Sequence, residues 1–114
     1  MDIQIIETGP IPIVNLLGDV NADDADKLEK IVDSMLTKSK ASRVIFDLSH
    51  AKYIASNIFG VLLSSANQLR HSGGKVAVVG ASERIKEVLH LLSMEQYFDL
   101  FKTREEALKA FQKE

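Results

Sequence analysis

The chain has 114 residues, 46% of them hydrophobic and 26% charged, which predicts one folded domain and excludes a disordered tail. Fourteen Lys and Arg against 16 Asp and Glu leave a formal net charge of -2, too little basic excess for broad nucleic-acid binding. No cysteine is present, which rules out disulfides, thiolate metal sites and cysteine nucleophiles. Met1-Asp2-Ile3-Gln4 lacks the basic start and apolar block of a leader, and apolar runs such as Val76 to Val79 are too short to span a bilayer. A cytoplasmic protein without membrane insertion is expected.

Ile3 to Ile6 reads as a short β-branched strand that stops at Gly9-Pro10. Ile11 to Leu17 reads as a second strand ending at Gly18-Asp19, and the pair predicts a hairpin with Pro10 and Pro12 at its edge. From Asp23 the period changes: Ala25, Leu28, Ile31, Val32, Met35 and Leu36 recur three and four apart, predicting a helix capped by Asn21 or Asp23. The Lys38-Ser39-Lys40 segment suits that helix's negative end. Val44 to Leu48 predicts a buried strand, and Ser49 to Ala55 a connector.

Ser56 opens a second helix with Ile58, Val61, Leu62, Ser65, Ala66 and Leu69 on one face, widened by Phe59 and Leu63. His71-Ser72-Gly73-Gly74 ends it, and Val76 to Val79 predicts a central strand covered on both faces. A third helix, capped by Ser82, turns Ile85, Val88, Leu89 and Leu92 inward. Tyr97 to Phe101 reads as a short strand or an aromatic turn. Thr103 and Glu106 have capping-box spacing before a last helix with Ala107, Leu108 and Phe111 as its stripe. Strands separated by single amphipathic helices predict parallel pairing in an α/β domain: a mixed sheet of four to five strands with about four helices.

Few residues suggest chemistry. His50, His71 and His90 lack metal-ligand spacing, and Gly73-Gly74-Lys75 precedes a strand, unlike a phosphate loop. Asp19, Asp23, Asp24 and Asp26 read as a solvated helix start or as a cation or partner site, and do not match a calcium loop. No cofactor or metal is expected. Ser56 carries two readings. Its hydroxyl suits a helix cap, and the same position suits a phosphoserine, whose negative charge the helix dipole and free backbone N–H groups stabilise.

Phe46-Asp47-Leu48-Ser49, followed by Tyr53-Ile54-Ala55-Ser56-Asn57-Ile58-Phe59-Gly60-Val61-Leu62-Leu63, resembles the central motif of STAS domains, the bacterial anti-sigma factor antagonists and their relatives. Gly18-Asp19-Val20-Asn21 looks like the family's Gly-Glu-Leu-Asp, and Gly73 to Val79 like its Gly-Gly strand. Val88 to Phe101 is similar to its following helix and aromatic end, so the likeness covers essentially the whole chain. The resemblance implies a regulatory protein-binding module that docks an anti-sigma factor serine kinase using ATP. It also implies phosphorylation of the motif's first serine, which falls on Ser56, and possible resetting by a serine phosphatase. Four positions depart from the pattern: Ala55 stands for Asp, Asn57 for Ser or Thr, Ile58 for Gly, and Asn21 for the acid of Gly-Glu-Leu-Asp.

The expected contact surface comprises Asp19, Asn21, Asp23, Asp24, Ser56 and Asn57, with Ile58 and Phe59 as an apolar docking patch. A monomer or weak homodimer is expected. The competing reading keeps the fold without the phosphate chemistry, as a scaffold subunit of a stress-signalling or transporter-associated complex. A nucleotide-binding or enzymatic reading has no phosphate loop, metal set or nucleophile pair to rest on.

Overall fold

Residues 2–7, 9, 11–39 and 42–112 (without the side chains of Lys38 and Ser39) are described by a computed structural model. Strand β1 (Asp2–Ile6) pairs antiparallel with β2 (Ile13–Val20), with Ile6 opposite Ile13 and Asp2 opposite Leu17, so the expected hairpin forms. The ladder of β2 starts two residues later than expected, after Pro12, which has no N–H to donate. It also runs three residues further. Gly18 adopts φ +72 where the register shifts, so the glycine bends the strand rather than ending it. Pro10, and the Lys38-Ser39-Lys40 side chains expected at a helix end, lie outside the described residues.

A 3-10 turn (Ala22–Asp24) leads into α1 (Ala25–Ser39), then β3 (Arg43–Asp47), β4 (Ala51–Ile54), α2 (Ser56–His71) and β5 (Lys75–Val79). Next come α3 (Glu83–Leu91), a 3-10 turn (Glu95–Tyr97), β6 (Asp99–Phe101) and α4 (Arg104–Gln112). The sheet order is β1-β2-β3-β5-β6, parallel from β2 onward, while β4 pairs parallel with the far end of β2. Six strands therefore form where four to five were expected. The extra one, β4, lies in the stretch read as a connector, and Tyr97 to Phe101 resolves into a 3-10 turn and a strand.

Alternation along the strands builds two cores. One face (Val14, Leu16, Val44, Phe46, Val76, Val78) packs on α1, α2 and α3 through Leu28, Val32, Met35, Leu62, Ala66 and Leu89. The other (Ile13, Ile45, Ala77, Val79) packs on Ala107 and Phe111 of α4. Each side chain as deeply buried as Leu62 contributes roughly 2 kcal/mol of transfer free energy, so the three-helix face holds most of the stabilisation.

The helix ends follow local chemistry. Gly73 N–H donates to Arg70 O (3.0 Å) and Gly74 N–H to Leu69 O (2.6 Å), the double closure that ends α2 before β5. Ser82 caps α3 by accepting from Ile85 N–H at 3.2 Å. Leu92, expected inward, is 52% exposed, because α3 stops at Leu91 and Met94 and Phe98 fill the core instead. Thr103 Oγ1 accepts from Glu106 N–H at 3.2 Å. The return arm of that box reaches one residue further back, since Glu106 Oε2 accepts from Lys102 N–H at 3.2 Å.

Candidate functional site

The bent end of β2 and the short β4 bring the candidate residues together. Asp19 lies opposite Tyr53 and Val20 opposite Ile54, and Ala55 N–H donates to Val20 O at 2.9 Å. Ala55, extended at φ -66 and ψ 150, is the N-cap of α2, and its carbonyl accepts from Ile58 N–H at 3.0 Å. Ser56 is thus the first helical residue rather than the cap, correcting the capping reading. A residue in helical conformation turns its side chain away from the free N–H groups that a cap would satisfy. The Ser56 side chain is exposed, and its hydroxyl makes no hydrogen bond among the described residues.

Asn57 ties this helix start to the acidic turn. Its Nδ2 donates to Ala22 O at 2.9 Å. Within that turn Asn21 N–H donates to Asp24 Oδ2 at 2.8 Å, so Asn21 supplies the expected cap position and Asp24 closes it. Asp19, Asn21, Asp23, Ser56 and Asn57 are exposed and Asp24 is half-buried, on segments held side by side at one end of the sheet.

Ile58 and Phe59 do not join that surface. They are 0% and 3% exposed, so the expected apolar docking patch is overturned. With Ser56 at the first helical position, the next two apolar side chains rotate onto the core and anchor the helix. The side chain of Ile58 fills space there, where the family's motif carries a glycine.

Asp47, at the end of β3, was missed as a positioning residue. It is 3% exposed, and its Oδ1 accepts from the Ser49 hydroxyl (2.5 Å) and amide (2.9 Å). Its Oδ2 accepts from Arg104 Nε of α4 at 2.5 Å. Burial pushes the carboxyl pKa up, but the Ser49 hydroxyl and amide and then the Arg104 guanidinium outweigh it and hold it below the ordinary 3.8. Asp47 therefore fixes the start of the segment that leads through β4 to Ser56. Its sequence signals were an acid closing an apolar strand and a place in the Phe46-Asp47-Leu48-Ser49 resemblance, and neither reveals the pairing with Arg104.

The three histidines are exposed, with His90 Nδ1 2.7 Å from Glu95 Oε1. Among the described residues no group of three His, Cys, Asp or Glu is placed to hold a metal ion, and no helix is long and apolar enough to cross a membrane.

The STAS domain family matches residues 2–107 of the chain. BtrV of Bordetella bronchiseptica, named as an anti-sigma factor antagonist, is 31% identical over 99 residues, covering 87% of this chain and 84% of that one. The unphosphorylated form of the anti-sigma factor antagonist SpoIIAA superposes with a TM-score of 0.81 at 14% identity, over 97% of this chain and 98% of that one. A Thermotoga maritima protein described as an anti-sigma factor antagonist gives 0.86 at 23% identity, over 95% and 92%. Family, relative and fold agree with the strand and helix order built from the residues: the chain belongs to the STAS domain family and, within it, to the anti-sigma factor antagonists.

Proposed function

We propose that the chain is a partner-switching module. Unmodified, it binds an anti-sigma factor serine kinase through Asp19, Asn21, Asp23, Asp24, Ser56 and Asn57. The kinase phosphorylates Ser56, the complex dissociates, and a serine phosphatase restores the binding form. Catalysis belongs to the partners: the Ser56 oxygen attacks the γ-phosphorus of ATP, the bond to the ADP oxygen breaks, and the hydroxyl proton passes to a base on the kinase.

The observation that carries this reading is the exposed Ser56 hydroxyl, without a hydrogen-bond partner among the described residues, at the first position of a 16-residue helix. No acidic residue occupies the first turn of α2, so the positive end of its dipole is left for an added phosphate. Two acidic residues of the motif are replaced, by Ala55 and Asn21, which removes like charge from beside that phosphate. Asp19 and Asp23 remain on neighbouring segments, so phosphorylation makes one surface abruptly more negative while the buried core stays as it was. SpoIIAA in its phosphorylated form still superposes on this chain with a TM-score of 0.79 at 14% identity, over 96% of this chain and 99% of that one, as a surface switch requires.

Incubation with ATP and its anti-sigma factor serine kinase partner is expected to add the mass of one phosphoryl group to the parent and none to Ser56→Ala. Calorimetry is expected to show Ser56→Asp binding that kinase about tenfold more weakly or worse. One observation favours the scaffold reading: the Asn57 side chain, where the motif has a second hydroxyl, is spent tethering α2 to Ala22. No added phosphate together with equal affinity for the parent and Ser56→Asp would establish the scaffold.

A further inference from the structure

Between β4 and the first turns of α2 and α3 lies an open cavity of about 360 Å³. Its inner wall is apolar: Phe59 is buried in the core, while Ile85 and Val88 of α3 are only half-covered by the chain. Its rim carries two cations, Lys52 from β4 and Arg84 from α3, with Ser56 at the border. No acidic residue lines it, and neither Lys52 nor Arg84 makes an ion pair among the described residues. The nearest acid in sequence, Glu83, faces Lys86 at 3.6 Å instead.

We infer that this cavity is a binding site for a small amphipathic organic anion, an aryl or medium-chain alkyl carboxylate or sulfonate. The volume falls within the range of small-molecule pockets, about 300–1,000 Å³. The apolar wall favours a ligand with an apolar body, since it gains by removing Ile85 and Val88 from water. The paired positive charges, uncompensated by any lining carboxylate, select for an anionic head against a neutral or cationic one. A compact, fully hydrated anion leaves the apolar wall wet, and a neutral apolar molecule leaves both cations unanswered. The site does not rest on the phosphorylation reading, but Ser56 is one of its lining residues, so the ligand-binding form is the unphosphorylated one: a phosphate there would itself answer the two cations.

The test uses anilinonaphthalene sulfonate, whose fluorescence rises in apolar surroundings, as the probe for the full chain. Titration is expected to show one saturable site, displaced by decanoate and not by decanol. The double variant Lys52→Glu/Arg84→Glu changes exposed side chains and is expected to keep its thermal melt while binding at least about tenfold more weakly. Amide chemical shifts are expected to move in β4 and in the first turns of α2 and α3. Absence of saturable binding, unchanged affinity in the double variant, or equal displacement by decanol overturns the site. So do shifts centred on the exposed Leu91 and Leu92 at the other end of α3. Failure here leaves the Ser56 phosphorylation and kinase-binding measurements unaffected, so the two proposals fall separately.

Discussion

Gly80→Ala is expected to lower the free energy of unfolding by about 2–5 kcal/mol, read from the urea midpoint at unchanged slope. Two costs combine. Gly80 adopts φ +69, a left-handed conformation that costs an L residue roughly 1–2 kcal/mol. An added Cβ would also stand 2.5 Å from Ser49 Cβ and 2.9 Å from Ser49 Cα, and overpacking of that kind costs about 1–3 kcal/mol. Ser49 cannot retreat freely, because its hydroxyl and amide are both held by Asp47. Gly60→Ala is the control of opposite sign. Nothing lies within 4 Å of its added methyl in the exposed face of α2, so better helix propensity is expected to stabilise the protein by about 0.5–1 kcal/mol. A Gly80→Ala loss below that of an ordinary surface change would mean that the β3–β4 segment yields more easily than its contacts imply.

Asp47→Ala is expected to cost about 2–4 kcal/mol and Asp47→Asn about 1–2 kcal/mol, both by chemical denaturation near neutral pH. Alanine leaves the Arg104 guanidinium and the Ser49 hydroxyl and amide without their acceptor. Arg104 is about one-third exposed and regains water, which keeps the loss below that of a fully buried ion pair. Asparagine still offers one oxygen but carries no charge for Arg104. The pH dependence has a definite sign. The folded-state pKa of Asp47 lies below its ordinary 3.8, so the carboxylate's stabilisation is complete above that value. It is lost as pH falls through 3.8 toward the lower folded-state value. The stability gap between the parent and Asp47→Asn is therefore expected to be constant from pH 7 to about 5 and to shrink below about 4. A gap that widens on acidification would contradict the assignment of the charged form as the stabilising one.

Legibility in the sequence tracked the strength of the local pattern. The run Val76 to Val79 could only be a strand covered twice, and it is. The stripe from Ile58 to Leu69 marked the buried face of α2. Strand β4 escaped because it has four residues, pairs only with the bent end of β2, and exposes Lys52 and Tyr53, the latter at 53%. Nothing in its side chains alternates; its strand character is purely backbone pairing. Ser56 escaped by one position, since the residues that favour a cap also suit the first helical place, and only the extended backbone of Ala55 separates the two. Phe59 looked available for docking because a helix wheel does not tell where the sheet lies. The Asp47–Arg104 pair joins residues 57 positions apart, and no spacing rule reaches that far.

The order β1-β2-β3-β5-β6 has a consequence for synthesis on the ribosome. Read across the sheet it is also the order of emergence, so each new parallel strand finds its neighbour already laid down and no segment needs to be threaded in later. The exception is a helix. Helix α4 emerges after all six strands, and until it does the face bearing Ile13, Ile45, Ala77 and Val79 stays uncovered. Nascent chains stalled before Arg104 are the species that would stick to one another, and closure of its bond to Asp47 is the step that retires that hazard.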